Sequence, residues 1–184
     1  MAHLKLVVLL AVMLTTNPAN QKIDPLSCHG PDTSPSVFYQ ARIDESLKLF
    51  STKPKITKPE FLVRHAGTRC HNTWADILRN RVIISEPIFR DFSSEELAGL
   101  IAHEIAHIEL RDKGPHIQMD LRGAELTSTS IMLAKLKRML SICIDLKKTK
   151  GLTYSILHNL EWEIEDYRFR ISKIKSQSST ESPK

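Results

Sequence analysis

The sequence predicts an α+β fold that is mostly helical and contains a small β-sheet. Long segments repeat apolar residues every three or four positions, which is the period of an amphipathic helix. Shorter segments are rich in β-branched residues, and the clearest of them, residues 81–85, is bounded by Asn80 and Pro87. The chain has 184 residues, of which 41% are hydrophobic. This length and composition allow one domain with a substantial core.

The first 20 residues are predicted to lie outside that domain. A short basic start with Lys5 precedes the unbroken apolar run Leu6–Leu14, which is the order of a secretory signal peptide. The run is about half the length of a membrane-spanning helix. The small-residue cleavage pattern matches only at Ala19, so an uncleaved, weak N-terminal membrane anchor stays open as the alternative. We therefore expect an exported protein, periplasmic or secreted.

The rest of the chain divides by composition. Residues 21–35 are rich in proline and are expected to form a linker. Residues 36–175 carry the helical and strand patterns and are expected to form the domain. Residues 176–184 are polar and are expected to be a disordered tail.

The chain has three cysteines, whose pairing depends on the cellular compartment of the protein. Export would place them in an oxidising environment, where one pair can form a disulfide. Cys143 falls within a predicted helix among apolar residues, so we expect the bridge to join Cys28 and Cys70. The odd count leaves one free thiol. No C-x-x-C pair is present to suggest a cysteine zinc site.

The first half of the predicted domain contains a helix, a loop and two strands. Apolar residues at helical spacing predict a helix over residues 36–50, and the Lys- and Pro-rich residues 51–60 are expected to form a loop. Strands are predicted at 61–63 and 81–85, with an irregular polar stretch over 68–74.

The next helix is predicted to begin after Ser93. Ser93 can serve as the N-cap, and Glu96, three residues on, completes a capping box. Apolar residues then recur at helical spacing as far as Ile108, and Gly114-Pro115 is expected to end the helix.

This helix carries the motif H-E-x-x-H as His103, Glu104 and His107. Residues four apart lie on one face of a helix, so both imidazoles can hold one divalent metal, most often zinc. Glu104 can then act as general base on a metal-bound water. The motif therefore indicates a zinc-dependent hydrolase, first of all an endopeptidase, with hydrolysis of non-peptide amides as an alternative.

A catalytic zinc usually has three protein ligands and one open position. A long helix is predicted over 118–147, and Glu125 lies within it among small residues. A carboxylate on an apolar helix face is costly to bury unless it binds something, so we predict Glu125 as the third ligand and Asp120 as the alternative. His116 is nine residues after His107, which does not fit the pattern H-E-x-x-H-x-x-G-x-x-H.

A last helix is predicted over 152–175, after Gly151. Peptide hydrolysis also needs a donor for the oxyanion of the transition state. Three residues of this helix are candidates: Tyr154, His158 and Arg170. The strand at 81–85 could also bind the substrate backbone by strand addition if it forms an exposed edge, and an ordinary core strand is the equal alternative.

The segment from Asn80 to Arg111 resembles the gluzincin metallopeptidases of the HtpX-like and CAAX-prenyl-protease type. That family shows a strand, an acidic helix cap and the sequence E-L-A-x-x-x-A-H-E-x-x-H, which this chain matches from Glu96 to His107. The weaker resemblance extends over residues 73–174. It implies a zincin-like fold, one zinc ion and peptide hydrolysis, in a small single-domain member of the family.

The resemblance also bears on single residues. The family's third ligand is the Glu of E-x-x-A-D, to which Glu125 corresponds, with Ser128 in place of Ala and Thr129 in place of Asp. His158 resembles a late histidine of the family and is the first choice as oxyanion donor, with Arg170-Ile171 resembling the arginine-isoleucine pair that follows.

A rival function is a catalytically weak or inactive binding module that retains the zincin fold, because Thr129 departs from the family pattern. The net charge is +5, but the basic residues are scattered, so nucleic acid is not an expected partner. We expect a peptide or protein substrate, and a monomer.

Overall fold

The computed structural model describes residues 26–180 of the chain, with side chains described as far as residue 177. The predicted signal peptide or anchor lies outside the described residues, as do residues 21–25 and 181–184. The predicted α+β class is confirmed. The elements of the described part are β1 (Asp32–Thr33), α1 (Val37–Leu47), β2 (Glu60–Arg64), β3 (Thr73–Asp76), β4 (Arg81–Ser85), α2 (Glu86–Asp91), α3 (Ser94–Leu110), α4 (His116–Leu126), α5 (Thr129–Lys147) and α6 (Tyr154–Thr180).

The four strands form one sheet in the order β1-β2-β4-β3. β2 and β4 are parallel, whereas β1 and β3 are each antiparallel to their neighbour. The strands predicted at 61–63 and 81–85 are confirmed as β2 and β4. β4 lies inside the sheet, so of the two equal alternatives the structure has the ordinary core strand. The edge strands are β1 and β3. β3 begins within the stretch predicted to be irregular and pairs with β4 on one side.

α3 is the central helix, and every residue from Leu97 to Ala106 is buried. The predicted capping box is confirmed: Glu96 N donates to Ser93 Oγ at 3.1 Å, and Ser93 N donates to Glu96 Oε2 at 2.8 Å. The helix ends at Leu110, before the predicted stop, because Arg111 has the left-handed backbone conformation, with φ 51°. Its apolar side chains pack against α1, α4, α5 and the sheet.

The single helix predicted over 118–147 is wrong, because the chain breaks between α4 and α5. Thr127 donates from its backbone N and from Oγ1 to the carbonyl of Gly123, and Ser128 Oγ caps the next helix by accepting from Ile131 N. Short hydroxyl side chains compete with helical hydrogen bonds in this way. The break lets α4 and α5 approach α3 from different directions.

The helices predicted at 36–50 and 152–175 are confirmed as α1 and α6. α6 continues to Thr180 and so includes part of the predicted tail. α2 was not predicted. The expected disulfide between Cys28 and Cys70 is confirmed, with Cα atoms 5.3 Å apart, and Cys143 is a buried free thiol. None of the helices in the described part is long and apolar enough to span a membrane.

Candidate active site

Three imidazoles lie together where α3 ends and α4 begins. His103 and His107 are one turn apart on α3, and their Nε2 atoms are 3.1 Å apart. His116 is the first residue of α4, and its ring centroid lies 5.5 Å from that of His103 and 5.2 Å from that of His107. One nitrogen of each ring lies within 4.8 Å of the other two. The left-handed turn at Arg111 folds the chain back and so places His116 beside α3.

A carboxylate contacts the far side of each α3 imidazole. Nδ1 of His103 lies 2.7 Å from Asp120 Oδ1, and Nδ1 of His107 lies 2.7 Å from Asp112 Oδ1. An imidazole whose Nδ1 proton points at a carboxylate keeps a lone pair on Nε2. His107 forms such a hydrogen bond with Asp112, whereas Nδ1 of His103 lies close to Asp120 without the alignment of a hydrogen bond. The arrangement at His107 is the one that carboxylates typically impose on metal-binding histidines.

Asp120 is fully buried and contacts two cations besides His103. Lys135 of α5 donates to Oδ1 at 3.0 Å, and Arg170 of α6 donates to Oδ2. Burial alone would raise the pKa of the Asp120 carboxyl, but Lys135, His103 and Arg170 hold that pKa well below its ordinary value. Burial, together with repulsion from Lys135, lowers the pKa of His103. His103 is thus kept neutral, which is the form that binds a metal.

Glu104 turns its carboxylate toward β3. The side chain is buried, and Thr73 Oγ1 donates to Glu104 Oε1 at 2.6 Å. Burial raises the pKa of the Glu104 carboxyl, and the hydrogen bond from Thr73 opposes that rise. A carboxyl whose pKa is raised toward neutrality is suited to accept a proton during catalysis.

These groups share a cavity of about 910 Å³. Its lining includes the three imidazoles, Glu104 and Thr73. Residues 72–75 and 77, in and around β3, form one part of the lining, and α6 forms another with Glu163, Asp166 and Arg170 among its side chains. The cavity is large enough for a segment of several residues.

The predicted third ligand, Glu125, does not lie in this cluster. Its side chain is 66% exposed and accepts a hydrogen bond from Arg122 at 2.7 Å. The structure therefore corrects the expectation: the group beside His103 and His107 is His116. Asp120, the alternative ligand, contacts the Nδ1 of His103 rather than its metal-binding side.

His158 is not brought to the cavity either. It accepts a hydrogen bond from Trp162 Nε1 at 3.2 Å and stacks on Tyr154, with ring centroids 6.0 Å apart. Of the three candidate oxyanion donors, Arg170 lines the cavity. Its Nη2 atom is buried and has no hydrogen-bond partner in the described part of the chain.

A glycine in α4 is the sequence signal that could have identified His116 and Asp120. A Cβ at Gly123 would lie 3.4 Å from backbone atoms of both Ala102 and His103, so this face of α4 packs directly on α3. Residues 116, 120 and 123 follow helical spacing and share that face. Glu125 lies on another face of α4, which explains its exposure.

A helix with H-E-x-x-H and a third histidine beside it, on an α+β fold, defines the class of metal-dependent hydrolases. The sequence profile of Peptidase family M48 matches residues 40–153, which is more than half of the chain. The chain therefore belongs to Peptidase family M48 and is a metallopeptidase by family. No curated protein and no solved structure gives a significant match to the chain.

Proposed function

We propose that this protein is a zinc-dependent endopeptidase that cleaves peptide bonds in peptide or protein substrates. The observation that carries the proposal is the cluster of three imidazoles next to Glu104, with a carboxylate oxygen 2.7 Å from Nδ1 of His103 and of His107. Membership of Peptidase family M48 supports metallopeptidase activity in general.

The imidazoles of His103 and His107 are spaced to hold a zinc ion. Zinc binds imidazole nitrogen at about 2.0–2.1 Å in tetrahedral geometry, which places two such nitrogens about 3.3 Å apart. The Nε2 atoms of His103 and His107 are 3.1 Å apart. His116, whose ligand nitrogen lies within 4.8 Å of theirs, would move closer to act as the third ligand. A zinc ion held there would supply a Lewis acid that acidifies water and polarises the scissile carbonyl.

Glu104 is the proposed general base. It takes a proton from the attacking water and later gives that proton to the leaving amine. Thr73 positions it, because its hydroxyl holds Oε1 and leaves Oε2 as the atom that accepts the proton. Arg170 is the proposed oxyanion donor in place of His158, since its buried Nη2 has no partner and the residue lines the cavity.

β3 is the proposed site for the substrate backbone. It pairs with β4 on one side, and its residues line the cavity that contains Glu104. An extended peptide can add to such a free edge through backbone hydrogen bonds. This binding mode supports an endopeptidase, because it requires no free end of the substrate chain.

The metal assignment is tested by zinc analysis of His116→Ala and of Glu125→Ala as its matched control. We expect one zinc ion per chain in the parent, loss of zinc in His116→Ala, and full zinc content in Glu125→Ala. The opposite pattern would restore Glu125 as the ligand. Full zinc content in both variants would direct attention to Glu163, which lines the same cavity.

The activity is tested with Glu104→Gln, which should keep zinc and lose chelator-sensitive cleavage of an unfolded protein such as casein. A parent protein that binds zinc and cleaves none of many substrates would favour the rival binding module.

We also propose export, with the N-terminal segment as signal peptide or weak anchor. Sequencing the N-terminus of the protein from its native host separates the two, and a soluble cytoplasmic form that starts at Met1 would refute both.

A further inference from the structure

We infer that α6 selects the substrate: Trp162 and Phe169 bind a large apolar side chain of the peptide close to the bond that is cleaved. This inference rests on the proposed endopeptidase function and specifies the class of substrate. It assigns two specificity-determining residues that take no part in metal binding or proton transfer.

Both aromatic side chains line the same cavity as Glu104 and the imidazole cluster. Trp162 is nevertheless 64% exposed and Phe169 50% exposed. They are seven residues apart, so they lie on one face of α6, about 10 Å apart along its axis. Aromatic side chains left exposed at the wall of a cavity are typical of binding surfaces, because their burial by a ligand is favourable.

The charges of the cavity favour an apolar side chain over an acidic one. Lys135 and Arg170, the cations of the lining, are both paired with Asp120. Glu163 adds a carboxylate to the lining on α6. An acidic substrate side chain would be repelled by Glu163. The cationic groups within its reach are already used, because Arg170 Nη2 is the proposed oxyanion donor and Lys173 Nζ lies over the ring of Phe169, 5.5 Å from its centroid. An apolar side chain contacts Trp162 and Phe169 and is not repelled by Glu163.

The position of α6 in the chain agrees with a role in selection. The match to Peptidase family M48 ends at residue 153, and α6 begins at Tyr154. The imidazole cluster and Glu104 lie inside the matched part. The proposed metal ligands and general base thus lie within the family match, whereas Trp162 and Phe169 lie outside it on α6, together with the proposed oxyanion donor Arg170.

The experiment measures binding without cleavage. The zinc-loaded Glu104→Gln protein is titrated into fluorescein-labelled, end-blocked hexapeptides that are identical except for Phe, Leu, Gly or Asp at one central position, and anisotropy is recorded. We expect the Phe peptide to bind about tenfold or more tightly than the Gly peptide, and the Asp peptide to bind least. Trp162→Ala and Phe169→Ala, each in the Glu104→Gln background, should reduce the preference for Phe about tenfold and leave the affinity for Gly unchanged.

Tyr154→Ala is the matched control, because Tyr154 is an 83% exposed aromatic residue on the same helix that does not line the cavity. It should leave every affinity unchanged. Equal binding of the Phe and Gly peptides would overturn the inference. It would also be overturned if Trp162→Ala left the peptide affinities unchanged but abolished self-association or binding to lipid vesicles, because the aromatic residues would then serve a different contact. If Glu104→Gln prefers Phe while the parent cleaves none of the peptides, the proposed endopeptidase function fails and the inference about binding stands.

Discussion

Replacing Asp120 by asparagine should destabilise the fold far more than the same replacement at Asp112. Each carboxylate lies 2.7 Å from the Nδ1 of an α3 histidine. However, the side chain of Asp120 is fully buried, whereas that of Asp112 is 62% exposed. Asparagine keeps the shape of aspartate and removes its charge, so the comparison isolates what the buried charge contributes.

The expected magnitude follows from the partners of Asp120. Arg170 keeps an ion pair with Asp166 when Asp120 is neutralised. Lys135 has a side chain that is 3% exposed and would be left as an uncompensated charge. Breaking a buried ion pair by removing one partner costs about 3–5 kcal/mol, a large part of a typical stability of about 5–15 kcal/mol. Asp112→Asn should cost under about 1 kcal/mol, as exposed ion pairs do.

Urea unfolding of the metal-free proteins at neutral pH measures both free energies of unfolding. Adding Lys135→Met to Asp120→Asn should recover part of the loss, because the unpaired charge is then removed as well. Zinc competition titrations should show affinity about 10- to 100-fold weaker in both single variants, since both orient a histidine. Equal stability of Asp120→Asn and Asp112→Asn would refute the assignment of a buried, ionised Asp120.

Three further predictions concern other parts of the molecule. Gly99→Ala should lower the free energy of unfolding by about 1–3 kcal/mol, because the new Cβ would lie 2.7 Å from Lys135 Cβ; an unchanged urea midpoint would contradict this close approach. Thr73→Val should reduce kcat about tenfold or more with zinc content unchanged, because it removes the hydroxyl that holds Glu104, and Thr73→Ser should restore the rate. A hydrogen bond from Arg90 lowers the pKa of Asp91 to about 2, although burial alone would raise that pKa. Because this folded-state pKa lies below the unfolded value, the stabilisation is complete above about pH 5 and is lost as the pH falls through the folded-state pKa. Asp91→Asn should therefore be less stable than the parent by about 1 kcal/mol at pH 6, with the difference shrinking toward zero near pH 2 in urea titrations; a constant difference would argue against the shift.

The sequence predicted the features that depend on local pattern. The strand at 81–85, the capping box at Ser93 and the motif helix are all confirmed, because each is encoded within a few consecutive residues. The third histidine could not be predicted in this way. His116 reaches the cluster through the left-handed turn at Arg111, and arginine gives no sign in the sequence that it will adopt that conformation. Glu125 is predicted from its small neighbours and its match to E-x-x-A-D, which do not tell which face of the helix packs on α3. The face that does so carries Gly123 and, at helical spacing, Asp120.

Arg170 joins the metal-binding cluster to the helix that we propose selects the substrate. Arg170 forms an ion pair with Asp120, the carboxylate beside His103. It also follows Phe169 directly on α6. A shift of α6 that moved Phe169 would also move the guanidinium of Arg170, which donates a hydrogen bond to Asp120. Because packed elements of this kind move as units rather than deforming continuously, occupation of the aromatic wall and orientation of His103 are expected to be coupled. If α6 selects the substrate as we propose, binding of an apolar side chain there would favour the arrangement of His103 that metal binding needs, with Asp120 as the carboxylate between them.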